Sequence, residues 1–80
     1  MMVKINNKES GKKLKLQMVK RGIQAKALAK DLGYSDSSTI NRWIRGETTP
    51  SYENLVNMAI ILRCNVKDLV VFSRETTNTD

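Results

Sequence analysis

The chain has 80 residues, 28% of them charged, with a net charge of +6. That length makes one small domain with a modest core and little room for a second site. It has no histidine and a single cysteine, Cys64, which removes the commonest acid–base catalyst, an internal disulfide and a cysteine metal cage.

The charge is unevenly spread. Nine of the 14 Lys and Arg residues lie in residues 1–30, where Glu9 is the one acid. A basic excess gathered in one segment forms a patch, which suits nucleic acid first and an anionic membrane second. No apolar run nears the ~20 residues needed to span a bilayer, and no leader pattern opens the chain. A cytoplasmic protein with a reduced thiol is therefore expected.

Residues 1–8 read as a flexible N-terminal arm, although Met1, Val3 and Ile5 alternate with Met2, Lys4 and Asn6 and hint at extended chain. The domain proper is expected over residues 9–72. Its first helix runs from about Glu9 to Arg21, capped by Ser10 and ended by Gly22. Leu14 and Met18 face the core, while Lys12, Lys13, Lys15, Lys20 and Arg21 ring the helix. This helix has no aromatic residue and an untidy apolar side, so no membrane partner is expected.

The next helix runs from Gln24 to about Leu32. Ala25, Leu28, Ala29 and Leu32 share one face, Lys26 and Lys30 the other, and Gly33 ends it. A polar turn, Tyr34 to Ser37, leads to a helix from Ser38 to Arg45 that Gly46 stops. Its apolar stripe is Ile40, Trp43 and Ile44. At ~100° per residue the opposite face carries Ser38, Arg42 and Arg45, flanked by Thr39 and Asn41. This face is rich in donors and holds no carboxylate, which suits the acceptor-rich edges of guanine in the major groove.

Pro50, with Ser51 or Thr49 as cap, introduces a helix over Tyr52 to Leu62 with Leu55, Met58, Ala59 and Leu62 inward. Asn65 and Asp68 have capping-box spacing before a last short helix from Val66 to about Phe72. Residues 73–80 read as a disordered polar tail. The whole is an all-α bundle of five short helices. Its expected core is Leu14, Met18, Ile23, Leu28, Leu32, Ile40, Trp43, Ile44, Leu55, Met58, Ala59, Leu62, Val66 and Leu69.

The joint pattern is Leu32-Gly33, a turn, Thr39-Ile40-Asn41-Arg42-Trp43, Arg45-Gly46, Pro50-Ser51, Leu55, Ala59-x-x-Leu62 and Val66-x-x-Leu69. It resembles the Cro/C1-type helix-turn-helix domain of phage repressors and xenobiotic-response-element regulators, over roughly Gly11 to Val71. The resemblance implies a lambda repressor-like fold whose second motif helix enters the major groove. It implies base contacts from Ser37, Ser38, Thr39 and Arg42, with Asn41 and Arg45 nearby. It implies phosphate contacts around Gln24, Ala25 and Lys26, and from the loop of Glu47, Thr48 and Thr49. Trp43 is implied to be structural, and Cys64 a packed thiol. The chain departs from the family pattern in Ala25, where glutamine is common, and in a turn one residue longer. Asp36 and Glu47 put negative charge near the phosphate track. Gln17 stands in place of a core leucine, and Arg63 in place of a helix-ending glycine.

These readings lead to a double-stranded DNA binder that regulates transcription, expected as a repressor acting as a homodimer. The candidate dimer surface is the remaining apolar set of Val56, Ile60, Ile61, Val71 and Phe72, with Val70. The alternative is an antitoxin-type module that binds a partner protein and represses its own gene, or an accessory factor of a mobile element. No cofactor, metal or catalytic residue is expected, so an enzyme is not.

Overall fold

Helix α1 spans Asn7–Arg21, and the residue that starts it is Asn6, whose side-chain oxygen accepts from the Glu9 N–H at 3.0 Å. The cap is thus four residues earlier than Ser10, the cap expected from sequence. Ser10 has a different partner: its Oγ accepts from the Val71 N–H at 2.7 Å. Gly22, left-handed at φ 66°, ends the helix. Helix α2 covers Ala25–Asp31, α3 Ser38–Arg45 and α4 Tyr52–Leu62. The α4 cap is Ser51, whose side chain accepts from the Asn54 N–H at 3.1 Å. The computed structural model describes residues 2–75.

The expected fifth helix is instead one 3-10 turn, Val66–Asp68, which Asp68 supports by accepting from the Asn65 N–H at 2.9 Å. The chain then extends. Val70, Val71 and Phe72 are β-branched or aromatic and favour extended backbone over a second helical turn. Both backbone groups of Val71 are taken from α1, its N–H by Ser10 and its C=O by the Asn6 N–H at 2.7 Å. Strand β2, Phe72–Glu75, pairs antiparallel with β1, Met2–Ile5. Met2 stands opposite Glu75 and Ile5 opposite Phe72. The arm expected over residues 1–8 therefore contains a paired strand and the first turn of α1. The tail expected over residues 73–80 overlaps β2; Met1 and residues 76–80 lie outside the described residues.

The four helices enclose one core. Met18, Leu28, Ile40, Met58 and Leu62 are its largest fully buried side chains. Each such side chain contributes about 1.5–3 kcal/mol by leaving water. Every residue expected in the core is buried or packs against it, and Ala29 and Val70 join them. Val70 thereby leaves the proposed dimer set. Of the rest, Ile60 and Phe72 stand in solvent, 70% and 62% exposed, while Val56, Ile61 and Val71 are half-buried. Leu16 stays exposed and Gln17 is half-buried, so α1 keeps the Leu14–Met18 face inward.

Two glycines let α1 lie against α3. A Cβ on Gly11 would stand 2.6 Å from the Trp43 carbonyl oxygen, and one on Gly46 would stand 2.7 Å from the Lys8 Cα. Gly46 also ends α3 at φ 78°, where only glycine is unstrained. Arg63 takes the corresponding left-handed position after α4 at φ 56°. Arg21 steadies that turn: Nε donates to the Leu62 carbonyl at 2.8 Å and Nη2 to the Arg63 carbonyl at 3.0 Å. Cys64 packs beside the core, and burial, with the Asp68 charge, pushes its thiol above the usual range. No helix among the described residues is long and apolar enough to cross a membrane.

Candidate nucleic-acid interface

The turn between α2 and α3 is held from both ends. Gly33, left-handed at φ 88°, reverses the chain after α2. Tyr34 then packs edge-on against Trp43, ring centroids 6.0 Å apart at 80°, and its hydroxyl accepts from Asn54 Nδ2 at 3.0 Å. An edge-to-face pair of this kind contributes about 0.5–1.5 kcal/mol beyond burial. Tyr34 thus ties the turn to both α3 and α4. At the other end Asp36 Oδ1 accepts from the Ser38 N–H at 2.9 Å and from the Ser38 hydroxyl at 2.6 Å. These two bonds, led by the hydroxyl, hold the Asp36 carboxyl below its ordinary range. The acid satisfies an orphan donor at the start of α3, where negative charge also suits the helix dipole.

Helix α3 buries Ile40 and Trp43 and presents Ser38, Arg42 and Arg45 to solvent. Ser37, Thr39 and Asn41 are half-buried at the edges of that face, and Asn41 Nδ2 donates to Ser37 Oγ at 3.4 Å. The six residues expected to read bases therefore lie along one side of α3 and its first cap. Their guanidinium groups differ in one respect. Arg45 Nε donates to Glu47 Oε2 at 2.6 Å, and Nη2 to Oε1 at 3.4 Å. That pair raises the Arg45 pKa and lowers that of Glu47. The Arg42 guanidinium makes no hydrogen bond or ion pair among the described residues, and its charge helps to lower Glu47.

A Helix-turn-helix family model matches residues 14–69, more than half of the chain. The chain belongs to this helix-turn-helix family. The motif supports a DNA-binding, regulatory role. No curated protein and no solved structure matches the chain.

Within the matched residues, α2, the turn of Tyr34 to Ser37 and α3 follow one another in helix-turn-helix order. The expected phosphate-contacting residues flank this unit. Gln24 caps α2 without a side-chain bond, Lys26 follows in its first turn, and both are exposed. Ala25 packs against the core, so it offers only its backbone. Thr48 and Thr49 are exposed in the loop after α3, and the Thr49 hydroxyl donates to Asn7 Oδ1 at 2.7 Å. Asn7 is a loop support that sequence reasoning missed, because its partner lies 42 residues away and nothing local marks it. Part of the basic first third is engaged within the molecule, though at its surface. Lys13 donates to the Lys67 carbonyl at 3.1 Å, Arg21 caps α4, and Lys12 pairs with Glu9 at 3.1 Å.

Proposed function

We propose that the chain is a Cro/C1-type, lambda repressor-like regulator that binds double-stranded DNA in a sequence-specific way and represses by occupancy. In helix-turn-helix proteins the second motif helix lies in the major groove with its N-terminal residues at the base edges. Here that helix is α3. The observation that carries the reading is its solvent face, where the Arg42 guanidinium stands exposed and unpaired among the described residues, beside a Ser38 held by Asp36. Arg42 reads a guanine through O6 and N7, and Ser37, Ser38 and Thr39 contact neighbouring bases. Gln24, Lys26, Thr48 and Thr49 contact phosphates, which set register and salt dependence. The reading assigns the chain no catalysis, cofactor or metal.

It acts as a homodimer, because a palindromic site doubles the contacts of a small domain. Ile60 and Phe72 are the exposed members of the apolar set available for that contact. The test is selection from a random duplex library at near-physiological salt. An enriched inverted repeat with half-sites about one helical turn apart supports the dimeric reader. A single enriched half-site removes the dimer, and no enrichment overturns specific DNA binding.

A further inference from the structure

The exposed side of α1 carries an arrangement that groove reading does not use. Leu16 and Val19 are 55% and 65% exposed, three residues apart on one side of the helix. Together with Ile44 of α3 they line a shallow surface groove whose other walls are Lys12 and Lys15. Lys8 and Lys20, both exposed, continue the same side by helical spacing. The one acid there, Glu9, is bound to Lys12 at 3.1 Å, at a pair that stays largely in solvent.

We propose that this groove receives an amphipathic helix with acidic flanks from a partner protein. The three aliphatic side chains call for an apolar stripe, and the surrounding lysines for carboxylates. A helix laid in a groove supplies both. Phosphodiester backbone supplies the charge alone. An anionic bilayer needs a broader apolar face and is anchored by aromatic residues, which α1 lacks. Ile44 lies on the side of α3 opposite Arg42, so the docking stands independently of the DNA reading.

The test titrates the full chain, isotopically labelled, with a synthetic peptide of about 18 residues, ~27 Å of helix. The peptide carries leucines at three- and four-residue spacing and glutamates on both flanks. Amide shifts should concentrate at Leu16, Val19 and Ile44. Leu16→Gln and Val19→Gln alter exposed positions and spare the fold, which circular dichroism checks. Together they should weaken the peptide about tenfold, through lost apolar burial, and leave duplex affinity within about twofold. Equal binding by a peptide of the same composition in scrambled order would overturn the proposal, since charge alone would then suffice. Shifts centred elsewhere would overturn it too. The same shifts produced by anionic lipid vesicles would overturn the protein partner in favour of a membrane. A chain that binds no duplex would lose the DNA reading, while the peptide titration still decides the docking.

Discussion

Gly11 of α1 rests directly on the carbonyl oxygen of Ile44 in α3, with no space between them for a side chain. The obstacle is backbone on both sides, so neither partner can yield by a rotamer change. Gly11→Ala gains up to about 1 kcal/mol of helix propensity but forces α1 away from the reading helix. Overpacking of this kind costs about 1–3 kcal/mol, occasionally more. A net loss of about 1–2 kcal/mol is expected in urea unfolding. A variant as stable as the parent would show that the two helices do not meet in this way.

Arg42 and Arg45 should not behave alike. Arg42→Ala is expected to cost about 1–3 kcal/mol at the specific site and to relax one base position. Arg45→Ala should cost less, because Glu47 already occupies its guanidinium. Glu47→Gln releases Arg45 and removes a negative charge from the loop. It should tighten binding and steepen the salt dependence, by about one unit of log–log slope if Arg45 turns to a phosphate. Titrations across a salt series read all three variants. Weaker binding by Glu47→Gln would mean that the pair holds Arg45 in its working position.

Arg21 belongs by charge to the basic first third and by geometry to the end of α4. Arg21→Ala should therefore lower stability by about 1–2 kcal/mol, the lower part of the range for hydrogen bonds from a charged donor, since the group is exposed. Its salt slope on DNA should stay unchanged. Arg63→Gly should act in the opposite direction, raising stability by about 1 kcal/mol by relieving a left-handed non-glycine residue. Thermal unfolding distinguishes the two, and a loss of DNA affinity without loss of stability at Arg21 would place it on the phosphate track.

Asp36 makes the start of α3 sensitive to acid. Its folded carboxyl lies below the ordinary value of 3.8 because the ionised form accepts two bonds from Ser38. A depressed folded value means that the contribution is complete above the ordinary value and is lost as pH falls through the folded one. The first turn of α3 should then loosen. Following the Ser38 amide shift and exchange rate from about pH 6 to about pH 2 checks this. Asp36→Asn should raise the Ser38 exchange rate at neutral pH. A Ser38 amide indifferent to acid would mean that the bond is not made.

What could be read along the chain was local. The bounds of α3 and α4 agree with the sequence reading because their stops and caps sit in the residues themselves: Gly46 ends one, and Ser51 begins the other. The face of α3 follows from periodicity alone. What escaped were partnerships across the fold. The alternation of Val3 and Ile5 hinted at extended chain, but nothing nearby named Phe72–Glu75 as its partner. Asn6 outcompeted Ser10 as the α1 cap because Ser10 was engaged by Val71. The last helix ended after one turn for the same reason, since α1 claimed the Val71 backbone. On the candidate site, the positions of the reading residues were legible, while the capture of Arg45 by Glu47 was not, because sequence marks charge and not its engagement.

The ribbon of β1 and β2 also sets an order of events. A ribosome delivers Met2–Ile5 ahead of all four helices, yet their hydrogen-bonding partner is made only after α4. Asn6 and Ser73, joined across the ribbon's base, are separated by 67 positions. Until then Val3 and Ile5 trail from a chain whose helices can already close on their core, with an open strand edge able to pair with any other. Ribbon closure is thus a late, long-range step, slower than the helical contacts that precede it. During synthesis the helix-turn-helix motif can be in place before β1 and β2 are fastened together.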